Sequence, residues 1–189
     1  MAISLTPVRP ITDEELLQLA QRNPGYQFER GAKGELIVTP TGSEGGRRSM
    51  ELGYQLTAWN RGRSTGVTFD SSTGFRLPDG SVLAPDASWV WLERWEMLTP
   101  GERKGFAPLC PDAVFEIRSE SDRRVDLRMK MTAYLKNGAR LAVLIDPEQR
   151  TVEIHRPDAT SQLLGDVTAV EFDPEAPHPA ALLSRGFHK

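Results

Sequence analysis

Two acids and a lysine in this chain combine residue type and position in a way that points to chemistry. Asp86 follows Pro85 at the mouth of the apolar run "ASWVWL", and Glu116 lies inside a second run, "DAVFEIR", Asp112 to Arg118. On a strand, alternate residues share a face, so Asp112, Val114, Glu116 and Arg118 point one way and Ala113, Phe115 and Ile117 the other. An unpaired charge buried in such a strand is costly. Glu116 therefore needs a partner cation, a metal ion or an exposed strand end. One solution is an ion pair with Arg118 or an adjacent arginine at a sheet edge, since structural ion pairs perturb their neighbours as sites do. Lys130 comes three residues after Leu127 and four before Tyr134, so on a helix it flanks their apolar face. Alone it reads as a snorkelling lysine with a packed stem. Together the three make a more specific set. Two carboxylates on neighbouring strands can hold a hard divalent cation through oxygen ligands. A nearby ammonium can orient the attacking water or help to deprotonate it, and a phosphodiester is the substrate class that suits this combination.

The elements that must position these residues are legible as patterns. "ITDEELLQLAQRNPG" predicts a short helix, capped by Thr12, completed as a capping box by Glu15 and ended at Asn23-Pro24. "YQFERGAKGELIVTP" predicts a hairpin turning at Gly31 to Gly34. A second helix is predicted over about Glu44 to Asn60, with Met50, Leu52, Leu56 and Trp59 as a partial apolar stripe. Pro78-Asp79-Gly80 is a turn signal with strands on either side. Ala87 to Leu92 and Asp112 to Arg118 are predicted strands, separated by a polar loop, Glu93 to Phe106, with room for one helical turn. Val125 to Asn137 is a helix whose Leu127, Met131, Tyr134 and Leu135 share a face, closed by Gly138. "RLAVLID" and "TVEIHR" are two further strands, the first apolar enough to be central. Residues 158–189 are predicted as a loose strand pair and an edge tail. The order describes one mixed α/β domain, residues 1–189, with helices against a central sheet.

Composition bounds the partners. The 189 residues are 39% hydrophobic and 26% charged, with a net charge of −3, which fits a soluble globular chain. Without a basic footprint, contact with nucleic acid must rest on a local patch. One cysteine, Cys110, excludes an internal disulfide and a cysteine-rich zinc site. No run approaches the roughly 20 apolar residues of a membrane helix, and the stretch "MAISLTPVRPITDEELL" lacks the long apolar core of a signal peptide. A cytoplasmic location with no membrane partner is expected.

"TGFRLPDGSVLAPDASWVWLERW" and "CPDAVFEIRSESD", with "KMTAYLKNGARLAVLIDPEQRTVEIHRP" behind them, resemble the Uma2 family of restriction-endonuclease-like proteins, within the PD-(D/E)XK nuclease superfamily. The likeness runs from about residue 26 to residue 157, the expected core. It implies a restriction-endonuclease-like fold, a central mixed sheet flanked by helices, with a divalent-metal site at one sheet end and the N-terminal helix and hairpin added. Asp86 then matches the aspartate of the Pro-Asp motif and Glu116 the following acid, with Mg²⁺ or Mn²⁺ as their metal. The third motif residue is usually a lysine two positions after that acid; here it is Arg118, which stays protonated and is a poor base. The resemblance moves the functional lysine to the next helix, at Lys130, and leaves Arg118 to stabilise phosphate charge or hold Glu116. Glu51, on the second helix, is a candidate fourth member.

Glu120 stands where relatives often carry proline. Arg123, Arg124 and Arg128 could meet a phosphate backbone or balance Glu120, Asp122 and Asp126 on a solvated face. The function implied is metal-dependent endonucleolytic hydrolysis of DNA. The alternatives are a catalytically inactive binding or assembly module on the same fold and a nuclease for RNA or branched DNA. A palindromic duplex would favour a homodimer or higher homo-oligomer.

Overall fold

The computed structural model describes residues 2–165. Strand β1 (Ile3–Leu5) and helix α1 (Asp13–Arg22) lead to a hairpin, β2 (Tyr26–Arg30) and β3 (Leu36–Pro40), and then to the long helix α2 (Ser43–Arg61). Strands β4 (Gly66–Asp70), β5 (Phe75–Arg76), β6 (Val82–Leu83) and β7 (Ala87–Trp91) follow. A short helix α3 (Leu92–Glu96) and a 3₁₀ turn (Glu102–Lys104) occupy half of the segment predicted as a polar loop with room for one helical turn. The chain continues through β8 (Ala113–Ile117), α4 (Arg124–Lys136), β9 (Leu141–Asp146), β10 (Thr151–His155) and β11 (Gln162–Gly165). Of residues 158–189, expected as a loose strand pair and tail, the described part holds β11, which pairs antiparallel with β10; the rest of that expectation falls on residues 166–189, outside the described residues.

Local signals account for the element ends. Thr12 and Glu15 form the predicted capping box, each side chain accepting from the other's backbone N–H. The hairpin between β5 and β6 closes with Leu77 N–H donating to Ser81 O at 2.8 Å. Gly80 there sits at φ +85°, a conformation that favours glycine.

The strands form two sheets. The central one is six-stranded and mixed, in the order β11-β10-β9-β8-β7-β4. Its one parallel pair, β8 with β9, is joined through α4. The second sheet is antiparallel, in the order β1-β3-β2-β6-β5, and was not foreseen as a separate layer. On one face of the central sheet, Leu52, Leu56 and Trp59 of α2 pack on Ala87, Trp89, Ala113, Phe115, Val143 and Ile145. On the other, Met131 and Tyr134 of α4 pack on Val90, Val114, Ala142 and Leu144. Alternation along β8 therefore has its physical cause in two cores, one per face.

The α2 face turns on Trp89. Its indole N–H donates to Asn60 Oδ1 at 2.9 Å, and Asn60 Nδ2 donates to Gly66 O at 2.8 Å. A Cβ on Gly66 would collide with the Trp89 ring, which is fully buried and has nowhere to move. Gly66→Ala is expected to destabilise the fold by about 1–3 kcal/mol, the usual cost of overpacking. A urea titration checks it; an unshifted midpoint would show that β4 is free to retreat from α2.

Candidate active site

The register of the central sheet brings the two acids together. Ala87 on β7 lies opposite Phe115 on β8, so one further step places Asp86 across from Glu116, on the face covered by α4. Asp86 is fastened from two sides. Its Oδ2 accepts the Ile117 backbone N–H at 2.8 Å, and its Oδ1 accepts the Ser49 hydroxyl of α2 at 3.0 Å. Glu116 Oε1 accepts from the Tyr134 hydroxyl at 3.2 Å and lies 2.7 Å from Lys130 Nζ. Lys130 and Tyr134 are four residues apart on α4, so one helix face delivers both donors.

Lys130 has a second carboxylate, which sequence reading missed. Glu29 of β2 places its Oε1 2.9 Å from Lys130 Nζ and accepts the Ala84 backbone N–H at 2.7 Å. Lys130 also donates to Ala84 O at 3.4 Å. The only signal in the sequence was the alternation of the hairpin, and it misleads. Tyr26 is exposed while Glu29 is 5% exposed, so the polar face of β2 turns inward.

The charge balance is unusual. Burial pushes the Glu116 carboxyl up to about 8. Lys130 opposes that rise, and Asp86 and Glu29 add to it. Burial also raises Asp86, against the hydrogen bond from Ile117 and the nearby Lys130. Burial alone would lower Lys130, but Glu116 and Glu29 outweigh it and hold the ammonium above its ordinary range. Tyr134 is raised by burial first and by Glu116 next, so its phenol stays a donor.

The other sequence candidates go elsewhere. Arg118 Nη1 lies 3.1 Å from Asp146 Oδ2 and 3.4 Å from Glu148 Oε2, and its Nε donates to Asp122 O. Neither an ion pair nor a hydrogen bond joins it to Glu116. Glu51 accepts from Gln55 at 2.7 Å; the α2 side chain that reaches Asp86 is Ser49. Arg124 pairs with Asp146 at 2.6 Å, Arg128 with Glu153 at 2.7 Å and Arg123 with Asp126 at 3.8 Å. Of the acids named beside these arginines, only Asp126 is a partner; the strand acids Asp146 and Glu153 take Arg124 and Arg128. Among the described residues no helix is long and apolar enough to cross a membrane.

Comparison with known proteins bears on this geometry. A family model described as "Uma2: Putative restriction endonuclease" matches residues 13–186. Among solved structures the chain is similar to a crystal structure described as "a putative nuclease belonging to DUF820" from Anabaena variabilis ATCC 29413. The TM-score is 0.66 at 22% identity, over 85% of this chain and 88% of that one. At that identity the likeness concerns the fold, which is restriction-endonuclease-like. No curated protein matches the chain.

Were Glu116 to serve as a metal ligand, its proton would have to leave before its oxygens bound a cation, and metal affinity would then follow pH. Below a carboxyl value of about 8, apparent Mn²⁺ affinity should rise with pH, by at most about tenfold per unit, and level off above it. The sign holds for stability too. A carboxyl raised by folding stabilises the metal-free protein at low pH and loses that contribution as pH rises through 8. Calorimetric Mn²⁺ titrations across this range decide the matter; an affinity flat with pH would remove Glu116 from the ligand set.

Proposed function

The chain belongs to the Uma2 family, and on that footing we propose that it is a metal-dependent endonuclease hydrolysing phosphodiester bonds of DNA. The observation that carries this reading is the ammonium of Lys130 held 2.7 Å from Glu116, directly beside the position of Asp86 at one end of the central sheet.

The residues fit a divalent cation. Asp86 and Glu116 offer carboxylate oxygens, the donors that Mg²⁺ and Mn²⁺ prefer. Glu116 Oε1 takes both Tyr134 and Lys130, and among the described residues nothing donates to Oε2. Burial first, and then the neighbouring Asp86 and Glu29, raise the Glu116 carboxyl against Lys130, so an added cation there would meet acids in excess. No three His, Cys, Asp or Glu side chains among the described residues form a ready cage. That suits Mg²⁺, which is commonly held by one or two carboxylates and keeps waters and substrate phosphate as its other ligands. When bound, the metal would polarise the phosphoryl group and acidify a water.

The protein's own contribution is positional and electrostatic. Asp86 and Glu116 would hold the metal, their oxygens fixed by Ile117, Ser49 and Tyr134. Lys130, kept protonated by two carboxylates, donates rather than accepts protons. Its task is to orient the attacking water and to stabilise the negative charge that builds on the phosphate. Arg118 is assigned to the β8–β9 strand ends through Asp146 rather than to the phosphate. Glu51 is left outside the metal set.

The test uses circular, linear and branched DNA, and RNA, with Mg²⁺, Mn²⁺ or a chelator. Wild type is expected to cut DNA only with metal. Asp86→Ala and Lys130→Met are expected to lose about a hundredfold or more in kcat, the scale of one preorganised electrostatic contact. Melting curves confirm that both variants fold. Equal cleavage by all three proteins, or cleavage that survives chelation, would sink the assignment, and faster cutting of RNA would move the substrate class.

A further inference from the structure

We propose that Glu29 is a positioning residue of this site: from the N-terminal hairpin it fixes the Lys130 ammonium and the Ala84–Asp86 segment in one arrangement. The inference rests on the nuclease reading for its consequence and on the geometry alone for its content.

Glu29 belongs to a different sheet from Glu116, yet both acids meet the same ammonium, at 2.9 and 2.7 Å. All three side chains are nearly buried, with 16% exposure for Lys130 and 6–7% for the acids. Removing one partner from such a group leaves an uncompensated buried charge, so each carboxylate constrains the ammonium strongly. Lys130 has three protons to donate. Glu116 and Glu29 take two at short range, and the third, on Ala84 O at 3.4 Å, is the one that a water or phosphate oxygen can claim.

The same contacts govern Asp86. Glu29 Oε1 accepts the Ala84 N–H at 2.7 Å while Lys130 donates to the Ala84 carbonyl, so residue Ala84, two before Asp86, is held by both of its backbone polar groups. Gln27, on the same inward face of β2, donates to Ala84 O at 3.1 Å and to Ser71 O at 3.0 Å. The hairpin thus grips the stretch that presents one proposed metal ligand and steers the cation beside the other. Glu29 touches no substrate in this scheme; it acts through Lys130 and Ala84.

Glu29→Gln separates this role from a merely structural one, because glutamine keeps the length and the acceptor for Ala84 but loses the charge that holds Lys130. Three readouts are taken: thermal melting, kcat and KM on DNA with Mn²⁺, and the side-chain ammonium signal of Lys130 by ¹⁵N NMR. The expected variant stays folded with a lowered melting temperature, keeps its KM and, per folded molecule, loses about a hundredfold in kcat, the scale of a 1 Å misplacement. Its Lys130 signal, protected from solvent exchange in wild type, is lost. Wild-type kcat in Glu29→Gln overturns the proposal, as does a kcat loss no larger than the loss of folded protein. If wild type itself cleaves nothing, the nuclease reading fails, and the NMR signal alone then decides: loss in the variant supports the positioning role and an unchanged signal refutes it.

Discussion

One ammonium, Lys130 Nζ, is the buried positive charge next to Glu29, Asp86 and Glu116. Its attraction acts on all three: directly on Glu29 and Glu116, and at longer range on Asp86. In a low-dielectric interior such an interaction is far stronger than in water, and so is the cost of leaving any member unpaired. Several features of the fold serve this one condition. Helix α4 must be in the register that puts Lys130 and Tyr134 over β8. Strand β2 must turn its polar face inward. The segment before β7 must bring Ala84 within reach of both Glu29 and Lys130. A single compact cation with three donors suits the task better than a planar guanidinium, whose fork matches one carboxylate edge at a time.

The middle of the central sheet could not host this group, because both faces there are dry. Packing by α2 on one side and α4 on the other leaves the strand ends and the outer strand β10 for charge. The sheet places charge there twice, side by side. Along β9 and β10, Asp146 and Glu153 face Arg118, Arg124 and Arg128. Burial works against both acids there, but hydrogen bonds and the guanidinium groups hold them below their ordinary values. Glu116, one strand away, is held above its ordinary value. Burial raises Glu116 first, and charge count adds to the difference: hydrogen bonds and arginines offset burial in the first group, whereas acids outnumber the cation in the second. A perturbation in the second direction is the one that invites an added cation.

How much of this was legible follows from range. The helices, the hairpins and the strands around Asp86 and Glu116 are local patterns, and their caps and turns appear where Thr12, Gly34, Gly80 and Gly138 place them. Glu116 stood out because it breaks the apolar pattern of its strand, Asp86 because it follows Pro85 at the mouth of one, and Lys130 because it flanks the apolar face of a helix and completes the set. Glu29 breaks none. A polar residue in an alternating hairpin looks solvated until a second layer covers it, and that layer depends on pairings across the second sheet. Ser49 was equally silent, since a serine early in a helix has many ordinary uses. The two-sheet architecture escaped prediction for a related reason: β5 and β6 are two residues each and carry almost no periodic signal.

Arg118 shows why distant partners decide what a local pattern leaves open. It shares a face with Glu116 two residues away, and a pair between them was a sound expectation. Adjacent same-face positions on one strand, however, project in parallel, and a long side chain at the strand end swings more easily across the sheet than back along it. The neighbour across from it is β9, parallel to β8, with Ile117 paired to Ile145. The next residue on β9 is Asp146, and Arg118 meets it at 3.1 Å. The strand's own cation is thereby withdrawn, and the partner of Glu116 has to arrive from outside the sheet. Only an element lying on that face can supply it, and α4 is the helix packed there. A lysine on the helix rather than on the strand also gains what a strand residue lacks: it approaches from above, between two sheets, and can bind an acid from each.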